Sequence, residues 1–146
     1  MTPLIPLDPG TFVAGQIRPD DMAEIAARGI TLIVNNRPDF EEPGQPLAAE
    51  IAAAAQANGL AYCEIPIAGG ISAQQAEAAA GAFDEAEGKT LLFCRSGTRS
   101  TWLWALARAR RGADAETLIG QAAAAGYDLT SLRDRLKSHP GESRDP

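Results

Sequence analysis

Short apolar runs alternate with longer amphipathic stretches along the chain. Phe12 to Ala14 reads as a short strand, and Ile30 to Asn35 as a buried one. Leu60 to Ile65 and Thr90 to Phe93 carry the same signal. Helical signals fill the gaps. Pro19 to Arg28 has a proline in its first turn, acidic residues early and Gly29 as its stop. Leu47 to Asn58 is alanine-rich and ends at Gly59. Ser72 is placed to cap a helix reaching about Glu87. Thr101 to Arg111 is apolar almost all round, because Trp102 and Trp104 point to nearly opposite faces and Leu103 and Leu106 fill in between. That helix is predicted at the centre, with its tryptophans in the core rather than on a substrate. Asp114 to Ala125 and Thr130 to Lys137 read as covering helices, Gly126 breaking the first and Thr130 capping the second. The alternation predicts one α/β domain with a mostly parallel central sheet flanked by helices. The domain is expected over residues 1–139, with 140–146 as a disordered tail.

Composition narrows the function classes. Hydrophobic content of 45% and charged content of 22% suit a globular chain. The net charge of −6 makes nucleic acid an unexpected partner. No apolar stretch approaches membrane-spanning length, and Met1-Thr2-Pro3 does not resemble the start of a secretory signal, so no membrane association is expected. Two cysteines do not make a disulfide framework, which points to a reducing, cytoplasmic setting. The single histidine, His139, excludes a histidine-rich zinc site, and no metal or cofactor is expected. It would pair with a cysteine nucleophile only if the tail folded back.

The chemistry concentrates in Leu91-Leu92-Phe93-Cys94-Arg95-Ser96-Gly97-Thr98-Arg99-Ser100. An apolar run ends in a thiol, and a short polar loop then leads into a helix. Such a turn aims several backbone N–H groups and a helix N-terminus at one spot, which binds an anion. Donors and arginines there favour a thiolate. Cys94 is the expected nucleophile. Gly97 sits where the loop must reverse. Arg99 carries a rigid fork suited to two oxygens of a tetrahedral anion. Arg95 is expected to reach outward, Ser96 and Thr98 complete the anion-binding loop, and Ser100 is placed to cap the helix and donate to Cys94. With an acidic surface around it, the site must make its positive field locally, from Arg95, Arg99 and Arg37.

A cysteine, a short loop and an arginine ahead of a helix resemble two enzyme groups. Cysteine-dependent phosphatases carry five residues between cysteine and arginine, whereas here there are four: Arg95, Ser96, Gly97 and Thr98. The shorter loop resembles that of rhodanese sulfurtransferases, Cys-Arg-x-Gly-x-Arg or Thr. Phe12 to Gln16 followed by Pro19-Asp20-Asp21, and Gly29 to Pro38, resemble the opening strands and first helix of a dual-specificity phosphatase. Together these features resemble the beta-lactamase hydrolase-like protein, phosphatase-like domain family, some of whose members are labelled sulfur transferases. The resemblance covers roughly Leu4 to Arg110 and implies a dual-specificity-phosphatase-like fold.

Phosphatases of this kind often carry a general acid in the loop corresponding to Pro66–Ser72, and here that loop has no acid. Asp39, Glu41 and Glu42 stand in the neighbouring loop as possible accessories, read first as solvated charges or partners for Arg37. Sulfur transfer needs no such acid, because sulfite is a good leaving group. The leading expectation is therefore a sulfurtransferase forming a Cys94 persulfide. A tyrosine or aryl phosphatase acting through a phosphocysteine is the alternative, and a non-catalytic anion-binding module the third. The expected partner is a small anion: thiosulfate, a persulfide or a phosphate ester. Cys63, in mid-strand, is read as core filling rather than as a sulfur relay.

Overall fold

Strand pairing organises the chain, which a computed structural model describes over residues 1–137. His139 and the expected tail at 140–146 lie outside the described residues. Strands β1 (Ile5–Asp8), β2 (Thr11–Ala14), β3 (Ile30–Asn35), β4 (Ala61–Glu64) and β5 (Lys89–Phe93) form one sheet in the order β1-β2-β5-β3-β4. The β1–β2 pair is antiparallel; the pairs β2–β5, β3–β5 and β3–β4 are parallel. Helices α1 (Met22–Ala27), α2 (Ala48–Ala57), α3 (Ala73–Glu85), α4 (Thr98–Arg110), α5 (Ala115–Ala124) and α6 (Arg133–Lys137) flank it.

The central strand β5 shows why the sheet is covered on both faces. Leu91 and Phe93 join Ile17, Met22, Ile25 and Ile51 in one cluster. Leu92 points the other way, into a cluster with Leu103, Trp104, Leu106 and Leu118. Alternating side chains of one strand thus feed two cores, and each fully buried Leu or Phe stabilises the fold by about 1.5–3 kcal/mol. Trp104 is fully buried, as expected, while Trp102 is only partly so.

Local chemistry accounts for the helix ends. The Ser72 hydroxyl accepts from Gln75 N at 3.0 Å, and Gln75 Oε1 accepts from Ser72 N at 2.9 Å, a reciprocal cap on α3. The Asp114 carboxylate accepts from Thr117 N at 3.0 Å at the start of α5. Thr130 departs from its expected role. It opens a 3₁₀ turn at Thr130–Leu132, and the Asp128 carboxylate accepts from its N–H and hydroxyl at 2.9 and 2.7 Å.

Strand β1 is an addition to the elements read from the chain. Pro3, Pro6 and Pro9 mask it, but β1 lies at the sheet edge, where a proline is tolerated. Asp8 ties this edge to the core: Trp104 Nε1 and Arg108 Nε donate to its Oδ2 at 2.8 and 3.1 Å. Among the described residues no helix is long and apolar enough to cross a membrane.

Candidate active site

The Cys94 loop leaves the carboxyl end of the central strand β5, where parallel sheets present their ligand sites. Cys94 N still donates to Ala14 O, at 3.4 Å, so the thiol is held at the rim of the sheet. The loop then passes very close to β2. Gln16 N donates to Arg95 O at 3.3 Å, and a Cβ on Gly15 would lie 2.9 Å from that carbonyl oxygen. Only glycine fits there. Gly97 takes a left-handed conformation, φ 95°, and its N–H donates to Cys94 Sγ at 3.1 Å. The reversal and the thiol contact belong to the same residue.

Helix α4 begins at Thr98, three residues before the expected Thr101. Gly97 is its cap residue, and Arg99 and Ser100 lie in its first turn. Ser100 therefore neither caps the helix nor donates to the thiol. It is fully buried, and its hydroxyl donates to Asn36 Oδ1 at 2.7 Å. Asn36 in turn donates through Nδ2 to Ile65 O at 3.0 Å, and its carbonyl accepts from Ile67 N at 2.9 Å. This buried asparagine joins the carboxyl ends of β3 and β4 to α4. Thr101 donates to Gly97 O at 2.8 Å, and Ser96 and Thr98 share a hydroxyl contact of 3.2 Å at the surface.

The arginines are engaged by carboxylates. Arg99 donates from Nη1 and Nη2 to Glu41 Oε2 and Oε1 at 2.7 and 2.9 Å, and from Nη1 to Ile67 O at 2.8 Å. The fork expected to hold a tetrahedral anion thus holds both oxygens of a carboxylate. Arg37 is buried. It donates from Nε to Glu41 Oε1 at 2.9 Å, from Nη2 to Glu42 Oε1 at 2.6 Å and from Nη1 to Gln16 Oε1 at 2.9 Å. Glu41 bridges the two arginines. Arg95 points outward and lies 3.6 Å from Glu42. The three loops at the carboxyl ends of the strands meet through these contacts.

Neither Glu41 nor Glu42 is poised to give up a proton. The hydrogen bond from Arg99, and then that from Arg37, holds the Glu41 carboxyl down at about 2 from an ordinary 4.5. Arg37 likewise lowers Glu42. Asp39 accepts from Ala48 N at 2.8 Å at the start of α2. The Pro66–Ser72 segment supplies a carbonyl, Ile67 O, and no acid.

Tyr127 was not singled out by the sequence. Its hydroxyl donates to Ser96 O at 3.0 Å, and a Cβ on Gly97 would lie 2.3 Å from that hydroxyl. Burial, and then the charge of Cys94, pushes its phenol up from 10.0, so it stays a donor. A contact spanning 31 residues leaves no local pattern to find. Cys63 is half-buried on the edge strand β4. It pairs in register with Val34, which is level with Leu92. Two strand spacings across and two residues along put its Cα about 12 Å from that of Cys94, too far for a disulfide.

A family model described as beta-lactamase hydrolase-like protein, phosphatase-like domain, matches residues 5–111. The beta-lactamase hydrolase-like protein of Xylella fastidiosa is 38% identical over 121 residues, which is 80% of this chain and 28% of that protein. The chain thus spans less than a third of the length of the curated relatives it matches. A candidate phosphatase of Neisseria meningitidis Z2491, solved as a crystal structure, superposes with a TM-score of 0.80 at 33% identity, covering 93% of this chain and 97% of that one. Human DUSP28 shares the fold, with a TM-score of 0.66 at 19% identity over 95% of this chain and 93% of that one.

Proposed function

This chain belongs to the beta-lactamase hydrolase-like protein, phosphatase-like domain family, and from that membership we propose that it is a cysteine-dependent phosphatase of aryl phosphate esters. One observation carries the proposal: Cys94 Sγ accepts the Gly97 N–H at the N-terminus of α4, with Arg99 in that helix's first turn. The Cys94 thiolate attacks phosphorus. The S–P bond forms, the P–O bond to the leaving group breaks, and the departing oxygen keeps the electron pair. Backbone N–H groups meet the charge on the equatorial oxygens, joined by the Arg99 guanidinium once its fork exchanges the Glu41 carboxylate for the phosphoryl group. Water then attacks the phosphocysteine, the S–P bond breaks, and the thiolate returns with inorganic phosphate.

The substrate class follows from the proton inventory. Glu41 and Glu42 are ionised partners of arginine, and the Pro66–Ser72 loop carries no acid. The departing oxygen must therefore tolerate leaving as an anion, as a phenolate does and an alkoxide does not.

Sulfur transfer is the second reading, favoured by the same missing acid and by the four-residue spacing from Cys94 to Arg99. In it the thiolate attacks the outer sulfur of thiosulfate, an S–S bond forms and sulfite leaves with the electron pair. These two features put sulfur transfer first when the chain is read alone. The family's phosphatase-like description and the 33%-identical neighbour support phosphoryl transfer instead.

The test runs an aryl phosphate, an alkyl phosphate and thiosulfate side by side, with intact-mass analysis. Aryl phosphate turnover that vanishes in Cys94→Ser, with the alkyl ester about 10²-fold slower or worse, is the expected result. A gain of one sulfur atom at Cys94 without phosphate release would hand the assignment to sulfur transfer. Inactivity on all three would leave an anion-binding module.

A further inference from the structure

We propose that Tyr127 is a positioning residue that locks the Ser96–Gly97 peptide in the orientation which presents an N–H, rather than a carbonyl, to Cys94. The proposal rests on Cys94 being the nucleophile, and it concerns a residue beyond the 5–111 stretch that the family model matches.

In a trans peptide the C=O and the following N–H lie in one plane and point in opposite directions. Ser96 O and Gly97 N belong to the same peptide. The oxygen accepts from Tyr127 at 3.0 Å, and the N–H donates to Cys94 Sγ at 3.1 Å. Fixing one end fixes the other. The lock is needed because of Gly97. Its φ of 95° is open to glycine, but so is the region near −85° that a peptide flip would produce. After such a flip the Ser96 carbonyl would face the thiolate, a repulsive contact in place of a hydrogen bond. The loop's own glycine does not choose between the two states. The phenol does, by bonding the carbonyl in one of them only.

The phenol is itself held by local geometry. Helix α5 ends with Gly126 in the left-handed conformation, φ 98°. Gly126 N donates to Ala123 O at 3.0 Å, and Tyr127 N donates to Ala122 O at 2.8 Å. These are the two bonds of a Schellman cap, with Tyr127 as the residue just past the glycine. The Tyr127 ring also fills the space over Gly97, so that a Cβ there would meet Cζ at 3.0 Å. A capped helix end thus delivers a rigid donor to the reactive loop from outside it.

Tyr127→Phe removes the hydroxyl and keeps the ring, so the fold should persist with a melting temperature close to wild type. Iodoacetamide alkylation of Cys94 is measured at pH 6 and pH 9, together with kcat and KM for an aryl phosphate. Losing one such hydrogen bond should slow alkylation about tenfold at pH 6 and much less at pH 9. The kcat should fall by about the same factor while KM changes less than about twofold. An unchanged pH 6 to pH 9 ratio with unchanged kcat overturns the lock, whatever happens to the melting temperature. A wild-type Cys94 that alkylates no faster than Cys63 at pH 6 overturns the nucleophile assignment instead, so the two failures are distinct. Tyr127→Leu, which loses the ring as well, should reproduce the alkylation defect and add a loss of stability. If it lowers the melting temperature and leaves the alkylation ratio untouched, Tyr127 is packing only.

Discussion

The two thiols of this protein lie on the same sheet and live in opposite chemical worlds. Cys94 stands at the carboxyl end of the central strand β5, Cys63 within the edge strand β4. Cys94 is the more hidden, at 1% exposure, yet a backbone N–H points at its sulfur and an arginine lies in the next helical turn. Cys63 is half-exposed and borders a groove of about 650 Å³ lined by Thr31, Ala61, Gly81 and Ala82. Burial, and then the charge of Glu64, pushes its thiol above the ordinary value. On the proposed assignment, reactivity in this molecule follows aimed donors rather than access or cavity size. A roomy groove beside a cysteine does not by itself make a reactive site, and a buried cysteine at which the Gly97 N–H is aimed is the candidate one.

The contrast breaks most sharply at the thiols themselves. Cys94→Ser should lower aryl phosphate turnover on the order of 10³-fold or more, since the proposed nucleophile is lost, while Cys63→Ser should stay within about twofold. Equal losses in the two variants, measured by steady-state kinetics on folded protein, would erase the distinction.

A smaller effect is expected at the guanidinium. Arg99→Lys keeps the charge and loses the fork, and should cost about 10²-fold in kcat. The melting profile should shift only modestly, because Arg99 is a surface-edge partner of Glu41 rather than a core group. Near-wild-type turnover in this variant would remove Arg99 from the oxyanion clamp.

The gentlest test is titration. The Glu41 carboxyl sits at about 2 in the fold against an ordinary 4.5. A depressed carboxylate contributes stability that is fully present above 4.5 and is lost as pH falls towards 2. The melting temperature should therefore fall across that window, and Glu41→Gln should lack this part of the slope. Glu77 is held down to about 2 by Arg111 and Arg110 in the same way, so the readout is the difference between wild type and variant. Cys63→Ser should leave the acid limb as it is. An acid limb identical in wild type and Glu41→Gln would show that the bridge between Arg37 and Arg99 is not formed in solution.

Much of this was legible in the chain because the signals are local. The alternation of strands and helices, the Ser72 cap, the glycines Gly29, Gly59 and Gly126 after their helices and the Cys94-to-Arg99 loop depend on residues a few positions apart. Their hydrogen bonds close within three or four residues, so spacing and residue type suffice. What only the tertiary structure decided lies at long separation. Strand β1 exists because Asp8 meets Trp104, 96 residues on, and because a sheet edge forgives Pro6. Ser100 turned to Asn36 across 64 residues rather than to the neighbouring thiol. Arg99 found Glu41 across 58, and Ser96 found Tyr127 across 31. No periodicity or spacing encodes such pairs, since each depends on which strand lies beside which and on where the covering helices stop. The order β1-β2-β5-β3-β4 brings the Glu41 loop, the Ile67 loop and the Cys94 loop to one rim. The chain alone pointed to Cys94 and its loop; the packing of distant segments chose the groups that hold them.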